Sequence, residues 1–154
     1  MEYNTGLSKA SRKAIADGLT VLLADTYALY LKTQNFHWNL KGADFFSLHL
    51  LFEKQYSKMA EAIDEIAERI RILDMMAIGS FGALKKNTTI KDEDKSLNIK
   101  DMIKELLEGH ETLIRGARKL AELADKNVDF ASMDLIGRMI GTHEKFAWML
   151  RSSL

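Results

Sequence analysis

The chain has 154 residues, enough for one domain (1–154), and its 47% hydrophobic content can fill a real core. Its 22 basic residues balance 22 acidic ones, so no net field draws it to nucleic acid or to an anionic membrane. Cysteine is absent, which excludes disulfides, Cys-based zinc sites and thiol nucleophiles. No apolar run approaches the ~18 residues of a membrane span. The short run Leu19–Ala24, preceded by Glu2 and Asp17, does not read as a signal peptide. A cytoplasmic protein with no membrane partner is the expectation.

Proline is also absent, where about 5% of an average chain would be proline. Proline breaks helix interiors because it lacks an N–H donor and clashes with the preceding turn. A chain without it can run long uninterrupted helices, so the fold class is all-α. A first helix is predicted from near Ser8 to Asn39, with Ile15, Leu19, Leu22, Leu23, Thr26, Leu29 and Tyr30 at three- and four-residue spacing. Gly42 breaks that pattern, and Asp44 is placed to cap a second helix carrying Phe45, Leu48, Leu51, Phe52, Met59, Ile63, Ile66, Ile70 and Leu73. Glu65, four residues before Arg69, is expected to form a surface pair.

From Asp74 to Leu97 the periodicity lapses. Gly79, Gly82, Asn87 and the Lys91–Lys95 charge run mark a long connection, with a short helix around Phe81–Lys85. A third long helix is predicted from Asn98 to Lys126, with Asp101 at capping-box-like spacing, and a fourth from Asp129 to Arg151. Helices of ~23–32 residues are roughly 35–48 Å long. Short links within each pair and one long link between pairs describe a ferritin-like four-helix bundle with a single crossover.

The histidines and carboxylates carry the candidate chemistry. Di-iron bundles usually place Glu-x-x-His on two helices, yet no glutamate here has histidine three residues on. The ordinary site inside the bundle is therefore unsupported. His37 and His49 stand six residues to either side of Ala43. If the chain reverses there, the imidazoles meet on facing helices and can share a metal. Asp64 and Glu68, at i and i+4, lie on one face of the second helix. Taken singly, each signal also fits a bland role: a satisfied boundary histidine, or a solvated acidic face with Arg69 and Arg71 nearby. His49 and Asp64 are about 22 Å apart along one helix, whereas metal–ligand bonds are about 2 Å. The two pairs can meet only across a two-fold contact between subunits, which would create two equivalent sites per dimer.

The segment NFHWNLKGADFFSLHLLFEKQYSKMAEAIDEIAERIR closely resembles the Dps family of mini-ferritins, and LLADTYALYLKTQ, ELLEGHETLIR and HEKFAWMLRSSL extend the resemblance over essentially the whole chain. The resemblance places His37, His49, Asp64 and Glu68 at that family's ferroxidase ligand positions. It implies a hollow dodecamer that oxidises Fe(II) with hydrogen peroxide or oxygen at two-fold interfaces, stores ferric mineral and so protects DNA. Iron is the expected metal, with zinc or cobalt as substitutes in the same hard-oxygen and imidazole donor set.

Trp38 reads as a local electron donor or as interface packing, and Glu53 as an acceptor that orients the His49 imidazole or as a surface residue. Asp129 and Asp134 are candidates for a three-fold iron-entry pore, with the helix dipole as the competing explanation; Asp125 is a lesser candidate. His110 and His143 sit in charged segments and read as structural or exposed. The loop DMMAIGSFGALKKN departs from the family in lacking proline. Direct DNA binding is expected to be weak or absent, because only Lys9, Arg12 and Lys13, opposed by Glu2, precede or open the first helix and no basic tail follows. A nucleoid-packing protein with minor iron chemistry is the alternative reading, and a shell with a vestigial or zinc-filled site a third.

Overall fold

Five helices follow one another in the computed structural model, which describes residues 3–92 and 96–154. They are α1 (Lys9–Asn39), α2 (Phe45–Ile72), α3 (Phe81–Asn87), α4 (Ile99–Lys126) and α5 (Phe130–Arg151). Among the described residues there is no strand. Glu2 and residues 93–95 of the predicted charge run lie outside the described residues.

The helix boundaries follow from capping chemistry. The Ser8 hydroxyl accepts from the Ser11 N–H, the Asn98 side chain from Asp101 N–H, and the Asp129 carboxylate from Ser132 N–H. At α4 the box closes through side chains, because the Asn98 amide donates back to the Asp101 carboxylate at 2.7 Å. Asp44 does precede α2 but makes no side-chain cap. The turn before it is set instead by Gly42, whose φ of +130° is open to glycine and strained for other residues.

Around the bundle the order is α1, α2, α5, α4, with α3 lying against α1. One apolar core joins the four long helices: Ile15, Leu19, Leu29, Phe52, Met59 and Ile66 come from the predicted stripes of α1 and α2, and Leu106, Leu113 and Ile136 from α4 and α5, all of them buried. Each such side chain contributes about 1.5–3 kcal/mol of burial. Where α1 meets α4, a leucine side chain from the facing helix fills the space over each of two glycines. A Cβ on Gly109 would lie 2.5 Å from Leu29 Cδ1, and one on Gly18 would lie 2.4 Å from Leu120 Cδ1. The crossover is pinned by Asp25, a buried carboxylate on α1 that accepts from the Thr88 hydroxyl, Thr89 N–H and Thr89 hydroxyl at 2.8, 2.5 and 2.8 Å.

Three surface expectations change in three dimensions. An 18-residue stretch of α1 does reach a mean hydropathy of 1.3, enough by length and composition for a membrane span, although half of it is buried inside the bundle. The Glu65–Arg69 pair does not form. Arg69 reaches across to Asp129, while Glu65 pairs with Arg138 of α5 at 3.0 Å. Arg12 is a buried strut, bonded to the Leu73 carbonyl and Asp74 and lying 4.0 Å over the Tyr3 ring.

Candidate metal centre

α1 ends at Asn39 and α2 begins at Phe45, so the tight reversal at Gly42 brings His37 and His49 face to face as their spacing predicts. Their rings stack with centroids 3.7 Å apart and planes 16° from parallel. His37 Nδ1 lies 2.9 Å from the His49 carbonyl, and His49 Nδ1 lies 3.1 Å from the His37 carbonyl. A carbonyl oxygen only accepts, so each Nδ1 carries the proton and donates. Each Nε2 then keeps its lone pair. That is the tautomer a metal-binding imidazole needs, held by two reciprocal backbone bonds. His37 is buried and His49 half-buried, so the pair sits at the rim of the protomer.

Aromatic rings wall this pair. Phe45 stacks on His49 at 4.9 Å, and the edge of Tyr56 meets His37 at 5.1 Å. Tyr56 in turn meets Tyr30 at 6.1 Å, and Tyr30 meets Tyr27 at 6.3 Å, all near perpendicular. Desolvation raises the Tyr56 pKa above its ordinary value, and the Glu53 carboxylate and Tyr30 push it the same way. Trp38, although next to His37 in sequence, points out at 63% exposure.

Asp64 and Glu68 lie exposed on the continuous helix α2, on one face as predicted. Neither makes an ion pair among the described residues. The neighbouring arginines are engaged elsewhere: Arg69 with Asp129, and Arg71 with the Met75 carbonyl at 2.6 Å. Two bare carboxylates one turn apart repel each other, which a cation between them would relieve. The protomer does not bring them to the histidines. Among the described residues no three His, Asp or Glu side chains gather as a metal cluster. The donors present, neutral imidazole nitrogen and hard carboxylate oxygen, fit iron or zinc chemically.

Several neighbouring assignments change. The role expected of Glu53, accepting from His49, is filled by the His37 carbonyl. Asp129 is buried, and its carboxylate takes Arg69 Nη2 at 2.6 Å, Ser132 N–H at 3.1 Å and the Ser132 hydroxyl at 2.6 Å. Burial alone would raise its pKa, but the Ser132 hydroxyl, Arg69 and the Ser132 N–H outweigh that and hold it below the usual carboxylate value. It presents no free carboxylate to a pore. Asp134 is exposed and bonded to Arg138 at 3.1 Å, and Asp125 is exposed.

His110 and His143 are not on charged faces. Both are buried in the bundle between α4 and α5, with Nδ1 atoms 2.7 Å apart, and His110 Nε2 lies 3.4 Å from Gln55 Oε1 on α2. Gln55 Oε1 accepts, so His110 is protonated at Nε2 and its Nδ1 accepts from His143 Nδ1–H. Burial, with His143 beside it, pushes the His110 pKa well below its ordinary value. Burial alone brings His143 to about 4. Sequence reasoning missed this pair because the partner of each lies 33 residues away on another helix.

A sequence profile for the ferritin-like domain matches residues 16–154, which makes the bundle a ferritin-like domain. The chain is 35% identical over 134 residues to a DNA protection during starvation protein of Helicobacter pylori, covering 86% of this chain and 93% of that one. It is 37% identical over 151 residues to a low temperature-induced protein of Nostoc, covering 97% and 84%. A Dps crystal structure from Vibrio cholerae, described as a member of a broad superfamily of ferritin-like diiron-carboxylate proteins, superposes with a TM-score of 0.93 at 33% identity over 99% of this chain and 96% of that one. The chain belongs to the Dps family.

Proposed function

We propose that the protein is a ferroxidase and iron store that consumes Fe(II) with hydrogen peroxide at sites shared between subunits. The observation that carries this reading is the His37–His49 pair, whose two Nε2 lone pairs are left free by reciprocal backbone bonds at the rim of the protomer. The acceptor carboxylates Asp64 and Glu68, unpaired and about 22 Å along the same helix, complete the donor set only if a second protomer docks α2 against α2 in antiparallel. His37 and His49 bind Fe(II) as neutral ligands, and the two carboxylates offset the added charge as Fe(II) becomes Fe(III). Twelve protomers would enclose a cavity for ferric mineral, and Asp134 remains the exposed candidate for an iron-entry pore. Zinc or cobalt would occupy the same donors without turnover. Removing peroxide and Fe(II) together would protect DNA in the cytoplasm without binding it.

Direct DNA packing finds little support on the surface near α1. Arg12 is buried in the fold and Lys13 is paired with Asp17 at 2.6 Å, which leaves Lys9 of the three basic groups there. An electrophoretic shift at moderate salt is expected only at high protein concentration; a nanomolar shift would favour the packing role.

The deciding experiment adds Fe(II) anaerobically and then hydrogen peroxide, following both reactants in the native protein and in Asp64→Asn/Glu68→Gln. Rapid joint consumption by the native protein, lost in the variant, is the expected result. Equal slow oxidation by both would overturn the assignment.

A further inference from the structure

The ring contacts beside the histidines form a path with a direction. His37, a ligand on the reading above, touches Tyr56; Tyr56 touches Tyr30; Tyr30 touches Tyr27. The buried end of this path lies at the imidazole. Tyr30 and Tyr56 are half-buried, and Tyr27 reaches the surface at 38% exposure. Edge-to-face packing explains why aromatic rings stand here, since such contacts stabilise by about 0.5–1.5 kcal/mol each. Phenylalanine would pack equally well. What three successive phenols add is redox chemistry, because a phenol can surrender an electron together with its proton.

We infer that Tyr56, Tyr30 and Tyr27 form a relay that draws an oxidising equivalent from the iron site through His37 and delivers it to the surface. The inference rests on the proposed ferroxidase function. Hydrogen peroxide takes two electrons, while one ferrous ion gives one. When a site holds a single iron, the second electron must come from another donor, or hydroxyl radical is released. Tyr56 supplies it: Fe(II), hydrogen peroxide, the phenol and one solvent proton yield Fe(III), a phenoxyl radical and two waters. The O–O bond and the phenol O–H bond break, and the phenol proton together with the solvent proton completes the waters.

The radical then moves outward. Tyr30 gives an electron to Tyr56, which regains a proton from solvent, and Tyr27 does the same for Tyr30. Each donor phenol releases its own proton to water in turn, so no net proton is gained or lost in the transfer. The phenoxyl at Tyr27 ends at a one-electron reductant from solution, such as a thiol, or couples with another Tyr27. Trp38 shares no ring contact with this chain among the described residues, so the tyrosines offer a route separate from the indole next to His37.

The test loads one Fe(II) per site, adds one equivalent of hydrogen peroxide, and freezes samples for electron paramagnetic resonance while a spin trap counts escaping hydroxyl radical. The native protein should show a tyrosyl signal. Tyr56→Phe should lose that signal severalfold and release severalfold more hydroxyl radical, with an unchanged thermal midpoint. Tyr27→Phe should keep a tyrosyl signal but lose the dityrosine fluorescence of coupled surface radicals. Equal radical yield in Tyr56→Phe, or an indole signal in place of the tyrosyl one, would overturn the relay. Fe(III) formed without any tyrosyl signal rejects the relay alone; no Fe(III) in the native protein rejects the ferroxidase reading with it.

Discussion

Two histidine pairs stand in contrast in this protein, and the difference lies in which nitrogen each ring leaves free. At the rim, His37 and His49 both donate through Nδ1 to backbone carbonyls, so their hydrogen bonds are complete while both Nε2 atoms keep a lone pair. In the bundle, His110 and His143 spend their Nδ1 atoms on each other, and Gln55 takes the Nε2 proton of His110. The first arrangement is poised to bind something more. The second ties three helices together through neutral rings, although the Gln55 Nε2 beside them is buried without a hydrogen-bond partner. Residue type alone does not make a ligand; the partner of the second ring nitrogen decides.

Breaking each pair should separate the roles. Replacing His143 by Ala leaves a cavity and strands His110 Nδ1 without its buried donor, an expected loss of about 2–5 kcal/mol by chemical denaturation. His49→Ala at the half-buried rim should cost about 1 kcal/mol or less, since it frees a single carbonyl, that of His37. Its large effect should instead appear as lost Fe(II) binding. Comparable destabilisation by both substitutions would erase the distinction.

Acid sharpens the same contrast. The folded-state pKa values of His110 and His143 lie below the unfolded value, so unfolded chains bind more protons as pH falls below about 6.5. Their stabilising contribution is therefore present above that pH and is lost on acidification toward about 4, the value for His143. The limiting slope is about 1.4 kcal/mol per pH unit for each histidine. Thermal midpoints between pH 7 and 4.5 should fall for the native protein, and much less steeply for His110→Phe/His143→Leu. A parallel fall in both would mean that other groups dominate.

Smaller effects test the framework around the core pair. Gly109 precedes His110 and lets α4 approach Leu29, so Gly109→Ala should cost about 1–3 kcal/mol by overpacking, less about 1 kcal/mol gained in helix propensity. Val128, in the turn joining the two helices that carry His110 and His143, has a φ of +58°, which a β-branched residue rarely adopts. Val128→Gly should relieve strain of about 1 kcal/mol, partly offset by greater freedom of the unfolded chain. Denaturant midpoints would register both, in opposite directions.

Much of this architecture was legible in the sequence because the controlling interactions are local. Ser8, Asn98 and Asp129 act within one helical turn, the apolar stripes repeat along single helices, and His37 meets His49 across one short reversal. What stayed hidden depends on facing helices. The sequence leaves His110 open between a structural and an exposed role, counts Arg12 among the surface charges, and offers Asp129 to a pore, whereas Arg69, 60 residues away, holds that carboxylate. Periodicity reports which face a residue occupies and says nothing about the side chain that arrives opposite.

The unbroken course of α2 also makes it a ruler. With His49 near one end and Asp64 fifteen residues on, a single inserted residue between them would rotate the carboxylates by about 100° and shift them about 1.5 Å. The protomer could still fold around such an insertion by bulging, yet the two ends would no longer present their donors in matched phase. Length changes in this interval are tolerable only near whole helical turns, whereas the crossover after α2 carries no such measure.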